Sequence, residues 1–128
     1  MQAKSKYLDK FLINSGATIY EALSKIDLNK KGFLIVSNQD NLTVGVLTDG
    51  DIRRALLSSY LLSDNIKEIY IKEYSYLKIK STFDKTCEKF RLEKNNFLPV
   101  LDDDKRIINL ITRDQFNVLM LQDFEFDV

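Results

Sequence analysis

The sequence predicts an α/β fold built from two copies of one strand, helix, strand, strand, helix unit, and three observations carry that expectation. The first is a repeat at a fixed spacing of 64 residues, matching Thr18-Ile19-x-x-Ala22-Leu23-x-x-Ile26 to Thr82-Phe83-x-x-Thr86-Cys87-x-x-Phe90, Phe33-Leu34-Ile35-Val36 to Phe97-Leu98-Pro99-Val100, and Val46-Leu47-Thr48 to Leu110-Ile111-Thr112. One register held across three blocks marks an internal repeat, so the halves are expected to pack about a pseudo-twofold axis, leaving a cleft suited to a ligand. The second is apolar spacing of i, i+3, i+4, i+7 in Ile19, Ala22, Leu23, Ile26 and in Phe83, Thr86, Cys87, Phe90, which reads as an amphipathic helix in each copy. The third is a pair of β-branched and aromatic runs around a polar turn in each copy, which reads as a hairpin.

In chain order, a short strand is expected near Phe11 to Asn14. Thr18 caps the first helix, and Glu21 completes a capping box. Strands over Phe33 to Ser37 and Thr43 to Leu47 flank Asn38-Gln39-Asp40-Asn41, and a helix follows with Ile52, Ala55, Leu56 and Tyr60 on its buried face. Ser63-Asp64-Asn65 then cap a short helix carrying Ile66, Ile69 and Tyr70. This segment contains neither Gly nor Pro, so Tyr70, Tyr74 and Tyr76 are expected to hold it against the body of the protein. The second copy repeats the pattern: a strand near Tyr76 to Ile79, the helix after Thr82, strands over Phe97 to Leu101 and Ile107 to Ile111 around Asp102-Asp103-Asp104-Lys105, and a helix burying Phe116, Leu119, Met120 and Phe124. The alternation in Phe124-Glu125-Phe126-Asp127-Val128 reads as a strand opening a further domain. The organisation expected is a first repeat over 1–62, a connector over 63–75, and a second repeat with the start of a downstream domain over 76–128.

Composition narrows the function classes. With 128 residues and 45% hydrophobic content, the chain suits one compact domain without room for a separate catalytic one. Lys+Arg and Asp+Glu are equal at 19 each and the pI is near 6.3, so no strong field draws nucleic acid or an anionic membrane. No apolar run reaches the roughly 20 residues of a membrane span, and Met1 to Lys6 lacks a signal-peptide core, which reads as cytoplasmic. The single Cys, Cys87, cannot form an internal disulfide and sits on a helical apolar stripe, which reads as core. The absence of His removes the commonest general base and metal ligand together. Gly16, Gly32, Gly45 and Gly50 fit no nucleotide-loop pattern. No catalytic residue, metal site or obligatory cofactor is expected of this chain alone.

The block Gly32-Phe33-Leu34-Ile35-Val36, followed by Gly45-Val46-Leu47-Thr48-Asp49-Gly50-Asp51-Ile52-Arg53-Arg54-Ala55-Leu56, resembles a cystathionine-β-synthase (CBS) domain, and the two copies resemble the paired module called a Bateman domain. The likeness covers nearly the whole chain. It implies a regulatory module that binds an adenine nucleotide of the AMP, ADP or ATP class and controls an attached or partner enzyme. The run Thr48-Asp49-Gly50-Asp51-Ile52-Arg53-Arg54-Ala55-Leu56-Leu57 is also similar to CBS pairs fused ahead of bacterial sugar-phosphate nucleotidyltransferases, which implies a catalytic domain after Val128.

The most specific element is Gly45-x-x-Thr48-x-x-Asp51, which matches the family's ribose- and phosphate-holding pattern. A glycine lets backbone approach a ligand closely, Thr48 precedes a helix start that favours phosphate, and Asp51 suits two ribose hydroxyls. The resemblance puts the purine near Ile13 and Phe33, with Thr112 and Arg113 of the second copy as further contacts and Lys78 and Lys80 as candidates. From spacing alone, Thr48-x-x-Asp51 equally suits a capped helix start, and Arg53 and Arg54 suit solvated or salt-bridged positions. In the second copy Asn109 replaces Gly45 and Gln115 replaces Asp51, while Asp114 is one position early, about 100° around a helix. One nucleotide site per chain is therefore expected. Apolar residues outside the main stripes, including Leu57, Leu61, Leu62, Leu121 and Phe124, point to a homodimer. A purely structural dimerisation module with a decayed site is the alternative.

Overall fold

The computed structural model describes residues 6–93 and 95–126, the side chains of 122–126 excepted. The chain divides into two compact units, Met1–Tyr74 and Ser75–Val128. In the first, α1 (Lys6–Asp9) leads into β1 (Leu12–Asn14), α2 (Ile19–Asn29), β2 (Phe33–Ser37), β3 (Thr43–Thr48), α3 (Asp49–Leu57) and a 3-10 helix (Ile66–Glu68). The second holds β4 (Leu77–Lys78), α4 (Phe83–Arg91), β5 (Phe97–Leu101), β6 (Ile107–Thr112) and α5 (Arg113–Phe126). Each unit has one three-stranded sheet, in the order β1-β2-β3 or β4-β5-β6, with a parallel first pair and an antiparallel second.

The repeat extends to individual bonds. Phe33 faces Thr48 and Phe97 faces Thr112, each register slips at the same point (Val36/Ser37 and Val100/Leu101), and every β5–β6 partner is a β2–β3 partner advanced by 64 residues. The hairpin turns also agree. Asn38 Oδ1 accepts from the amides of Asp40 and Leu42, and Asp102 Oδ1 accepts from those of Asp104 and Arg106, an Asx-type closure that Asn and Asp supply equally well. Asn41 and Lys105 take the matching left-handed position.

Local signals account for the helix starts. Thr18 Oγ1 accepts from the Glu21 amide at 3.1 Å while Glu21 Oε1 accepts from the Thr18 amide at 3.1 Å, the reciprocal box its sequence predicts. Thr82 caps α4 in the same way through the Lys85 amide. The four-residue α1 is too short to show a period and has no sequence precursor. Its neighbourhood carries an aromatic ladder, Tyr7 edge-on to Phe11 and Phe11 stacked on Phe33 at 5.0 Å.

The first core joins Ile13, Ile19, Ala22, Ile26, Leu34, Val36, Leu47, Ile52 and Ala55 with Ile66, while Ile69 and Tyr70 pack against it. Residues 64–71 are thus a structural part of this unit. The Ile19 amide donates to Asp64 O at 2.8 Å, the Ile66 amide to Ala17 O at 3.0 Å, and Val46 and Ile71 exchange bonds of 3.0 and 2.7 Å as an antiparallel bridge on the outer edge of β3. Gly45 makes that seat possible. A Cβ there would lie 2.4 Å from Tyr70 Cδ1 and 2.5 Å from the Ile71 carbonyl oxygen.

The second core is smaller: Leu77, Phe90, Leu98 and Phe116, with Cys87, Val100, Ile111 and Met120 against it. Phe90 stacks on Phe116 at 4.7 Å, replacing the aliphatic pair Ile26 and Ile52. Three expected core positions differ here. Phe83 is 51% exposed where Ile19 is fully buried, and Leu119 is 49% exposed where Ala55 is 6% exposed. Among the described residues this unit has no counterpart of segment 64–71, and these are positions that segment helps to cover in the first. Leu23, also expected on a buried face, is exposed at its margin. Pro99 brings a further difference. The Ile35 amide donates to Phe11 O at 2.6 Å, whereas Pro99 has no amide to offer Ser75, and β4 is one residue shorter than β1. The expected strand at the C-terminus is instead helix, since α5 continues through Phe126. The side chain of Phe124, and Asp127 and Val128, lie outside the described residues.

Two predictions follow from this packing. Gly45→Ala will lower stability by about 1–3 kcal/mol, because neither the Ile71 backbone nor the wedged Tyr70 ring can yield freely. Chemical denaturation checks this, and Gly50→Ala, whose Cβ meets only the flexible end of Arg54, will cost little or stabilise. In the second unit, the Ser75 hydroxyl at 2.9 Å, helped by Asn95 and Lys89, holds the Glu93 carboxyl below its ordinary value against a small opposing effect of desolvation. The carboxylate is favoured on folding, so its contribution is complete above the pKa of unfolded glutamate and is lost as the pH falls through the folded value. An NMR titration will place the Glu93 midpoint below that of an unstructured glutamate, and Ser75→Ala will raise it.

Candidate functional site at the start of helix α3

The candidate site forms where β3 passes into α3. Thr48 ends the strand with extended dihedrals (φ −112, ψ 163) and caps the helix. Its Oγ1 accepts from the Asp51 amide at 3.1 Å, and Asp51 Oδ2 accepts from the Thr48 amide at 2.9 Å. The Asp51 side chain is only 11% exposed, and its Oδ1 accepts from Arg54 Nη2 at 2.8 Å. Arg54 itself is largely exposed, so its hold on Oδ1 is easily exchanged for another donor. Asp49 faces outward to Arg53 at 3.5 Å, and its amide donates to Gly32 O. Of the first helical amides, these bonds leave that of Gly50 for a ligand. The junction therefore offers an anion-favouring helix start beside an oriented carboxylate.

Other predicted site residues serve different ends. The space in front of Gly45 is filled by Tyr70 and Ile71, so its missing Cβ accommodates the chain itself, not a ligand. Ile13 and Phe33 do not share a pocket. Ile13 pairs with Val36 and joins the core under α2 and α3, whereas Phe33 alternates to the opposite face of the sheet and stacks on Phe11. Arg113 is committed locally: Nη2 donates to the carbonyls of Phe90, at 2.6 Å, and Asn95, with the guanidinium 5.6 Å from the Phe90 ring centre. It ties the loop after α4 to the start of α5. Lys78 and Lys80 are exposed on the turn after β4.

Thr112 and Gln115 give the sharpest comparison. Gln115 Oε1 accepts from the Thr112 amide at 2.9 Å, and Thr112 Oγ1 accepts from the Gln115 amide at 3.3 Å. This is the Thr48–Asp51 box with a neutral amide in place of a carboxylate, and Asp114 takes no part in it. Capping at this position does not require the charge of Asp51. Two polar residues without a sequence precursor also emerge. Buried Asn29 donates to the carbonyls of Lys10 and Phe33 and accepts from the Lys31 amide, closing the turn that leads into β2. Asn109 turns its Oδ1 onto the Leu110 amide at 2.8 Å. The Gly45-to-Asn109 difference was visible in the sequence, but its reason lies in contacts with residues far along the chain.

Among the described residues, no cluster of three or more metal-ligating side chains is present, and no helix is long and apolar enough to cross a membrane.

Comparison with known proteins agrees with this architecture. Residues 9–58 match the CBS domain family. A CBS domain-containing protein of Dictyostelium discoideum is 30% identical over 97% of this chain and 92% of its own length. Homoserine O-acetyltransferase of Methanohalobium evestigatum is 28% identical over 89% of the chain, which spans 24% of that enzyme. The chain covers between a quarter and a third of the length of the first curated relatives it matches. Among solved structures, the CBS domain pair of protein MJ0100, in complex with 5′-methylthioadenosine and S-adenosyl-L-methionine, superposes with a TM-score of 0.75 at 20% identity, covering 96% of this chain and 92% of that one. With its sheets, hairpins and helix caps repeated residue for residue, the chain belongs to the CBS domain family and is a pair of CBS repeats.

Proposed function

We propose that this CBS pair is a ligand-sensing regulatory module that binds an adenine nucleotide at the Thr48–Asp51 junction and controls an attached or partner enzyme. The observation that carries the reading is the charge at Asp51. Gln115 performs the same capping duty without charge, so a carboxylate at Asp51 is more than the helix start requires. A buried, oriented carboxylate beside an anion-favouring helix start suits a ligand carrying both ribose hydroxyls and phosphate. The adenosine compounds held by the MJ0100 pair support the adenosine part of this reading. Ribose hydroxyls would displace the exposed Arg54 from Oδ1, while the Gly50 amide and Thr48 would face the phosphate. Regulation then requires that the ligand favour one state of the module over another. The enzyme served is proposed to be a sugar-phosphate nucleotidyltransferase on sequence resemblance, and the acetyltransferase relative supports an attached catalytic domain in general.

Calorimetric titration with AMP, ADP and ATP will give a stoichiometry near one per chain, with 5′-methylthioadenosine as a phosphate-free comparison. Asp51→Ala will weaken binding by about 1.5–3 kcal/mol, the range for hydrogen bonds to a charged group. Asp51→Asn will lose affinity while retaining the melting temperature, since an amide can fill the cap. Absence of binding at millimolar nucleotide, or full affinity in Asp51→Asn, refutes the proposal.

A second reading, a structural homodimerisation module, is favoured by exposed apolar side chains. Leu57, Leu61 and Leu62 of the first unit and Val118, Leu119 and Leu121 of the second are exposed at and around α3 and α5. An isologous dimer would cover such surfaces in both copies at once. Light scattering will show a dimer at high micromolar concentration, and Leu57→Lys with Leu61→Lys will shift it towards monomer. A purely monomeric parent excludes this surface as a dimer contact.

A further inference from the structure

The two units present the same docking groove, but only one is filled. In the first, segment Ile66–Ile71 lies along α3 and the outer edge of β3, with Tyr70 against Gly45 and Ile71 bridged to Val46. The matching surface of the second unit, 64 residues on, is an open groove of about 630 Å³ lined by Asn109, Leu110, Ile111, Asp114, Gln115, Val118 and Leu119. Among the described residues no segment bridges the outer edge of β6. Leu110 is the counterpart of Val46. The Val46 amide donates to Ile71 O, whereas that of Leu110 is met by Asn109 Oδ1 at 2.8 Å.

We propose that Asn109 closes the outer edge of β6 to strand addition, and that the Gly45/Asn109 difference is the specificity determinant that directs segment Ile66–Ile71 to the first repeat alone. Two effects act together. Any Cβ in the Gly45 setting stands 2.4 Å from the Tyr70 ring, so an Asn109 side chain excludes a segment seated in the same way. The carboxamide also occupies the edge amide that an added strand would use, which removes the template for pairing. Without this block, the connector of one copy could seat on the second repeat of another, linking chains by exchange of an identical element. The selectivity thus comes from a clash at the wrong site as well as a fit at the right one.

The experiment uses a synthetic peptide of residues 64–74, Asp64 to Tyr74, added to the full chain and followed by calorimetry and by the amide signals of Leu110 and Ile111. Asn109→Gly will bind it at least about tenfold more tightly than the parent, a difference of about 1.4 kcal/mol, and a peptide with the Tyr70→Ala change will lose that gain. Asn109→Ala keeps the Cβ and will remain closed. Equal binding by the parent and a folded Asn109→Gly protein, including no binding by either, overturns the proposal, as does binding by Asn109→Ala equal to that of Asn109→Gly. Hydrogen exchange gives a second measurement that does not depend on the glycine variant. The Leu110 amide in the parent will exchange at least about tenfold more slowly than in Asn109→Ala. Equal rates overturn the role given to the carboxamide.

Discussion

The seating of residues 64–71 on the first repeat is the interaction on which most of the remaining structure depends. It covers Ile19 and Ala55, adds Ile66 to the core, completes the outer edge of β3, and requires a residue without Cβ at position 45. The second repeat shows what the same fold is like without such a cover among its described residues. Its core turns to stacked aromatics, Phe83 and Leu119 stay exposed, and a polar side chain closes the open strand edge. One repeat is stabilised by a long-range contact, and the other by larger side chains and a local bond.

This contrast changes the meaning of the motif. A pattern of Gly45, Thr48 and Asp51 looks like a single ligand-binding device in the sequence, yet its members answer to separate demands. Gly45 answers to the connector, and Thr48 to the helix start. Asp51 alone carries a property, its charge, that its counterpart Gln115 shows to be dispensable for folding. Comparing the two repeats separates structural need from chemical surplus within one chain, a control that a lone domain does not supply.

How much was legible followed from the range of each interaction. Hairpins, turn residues and the Thr18–Glu21 box depend on neighbours within a few residues, so spacing and residue type sufficed. The 64-residue repeat then carried those readings from one half to the other. The split of Ile13 and Phe33 between two faces depends on the register of the parallel β1–β2 pair, which no local pattern states. The commitment of Arg113 to the carbonyls of Phe90 and Asn95 likewise depends on how a loop folds back. The strand-like alternation at Phe124 misled because a few residues of alternating polarity can also extend a helix already under way.

The order in which these contacts lie along the chain has a consequence for synthesis. The first core draws on residues from Ile13 to Ile66, and its sheet edge is completed only by Ile71. A nascent chain that has exposed only residues 1–62 therefore holds a hairpin and two helices with an uncovered flank and a vacant strand edge. Translation through the connector ends that interval just before the second repeat begins to emerge. The stretch that links the repeats also sets the moment at which the first can stand alone, so a pause in elongation before residue 71 would prolong exposure of its most adhesive surface.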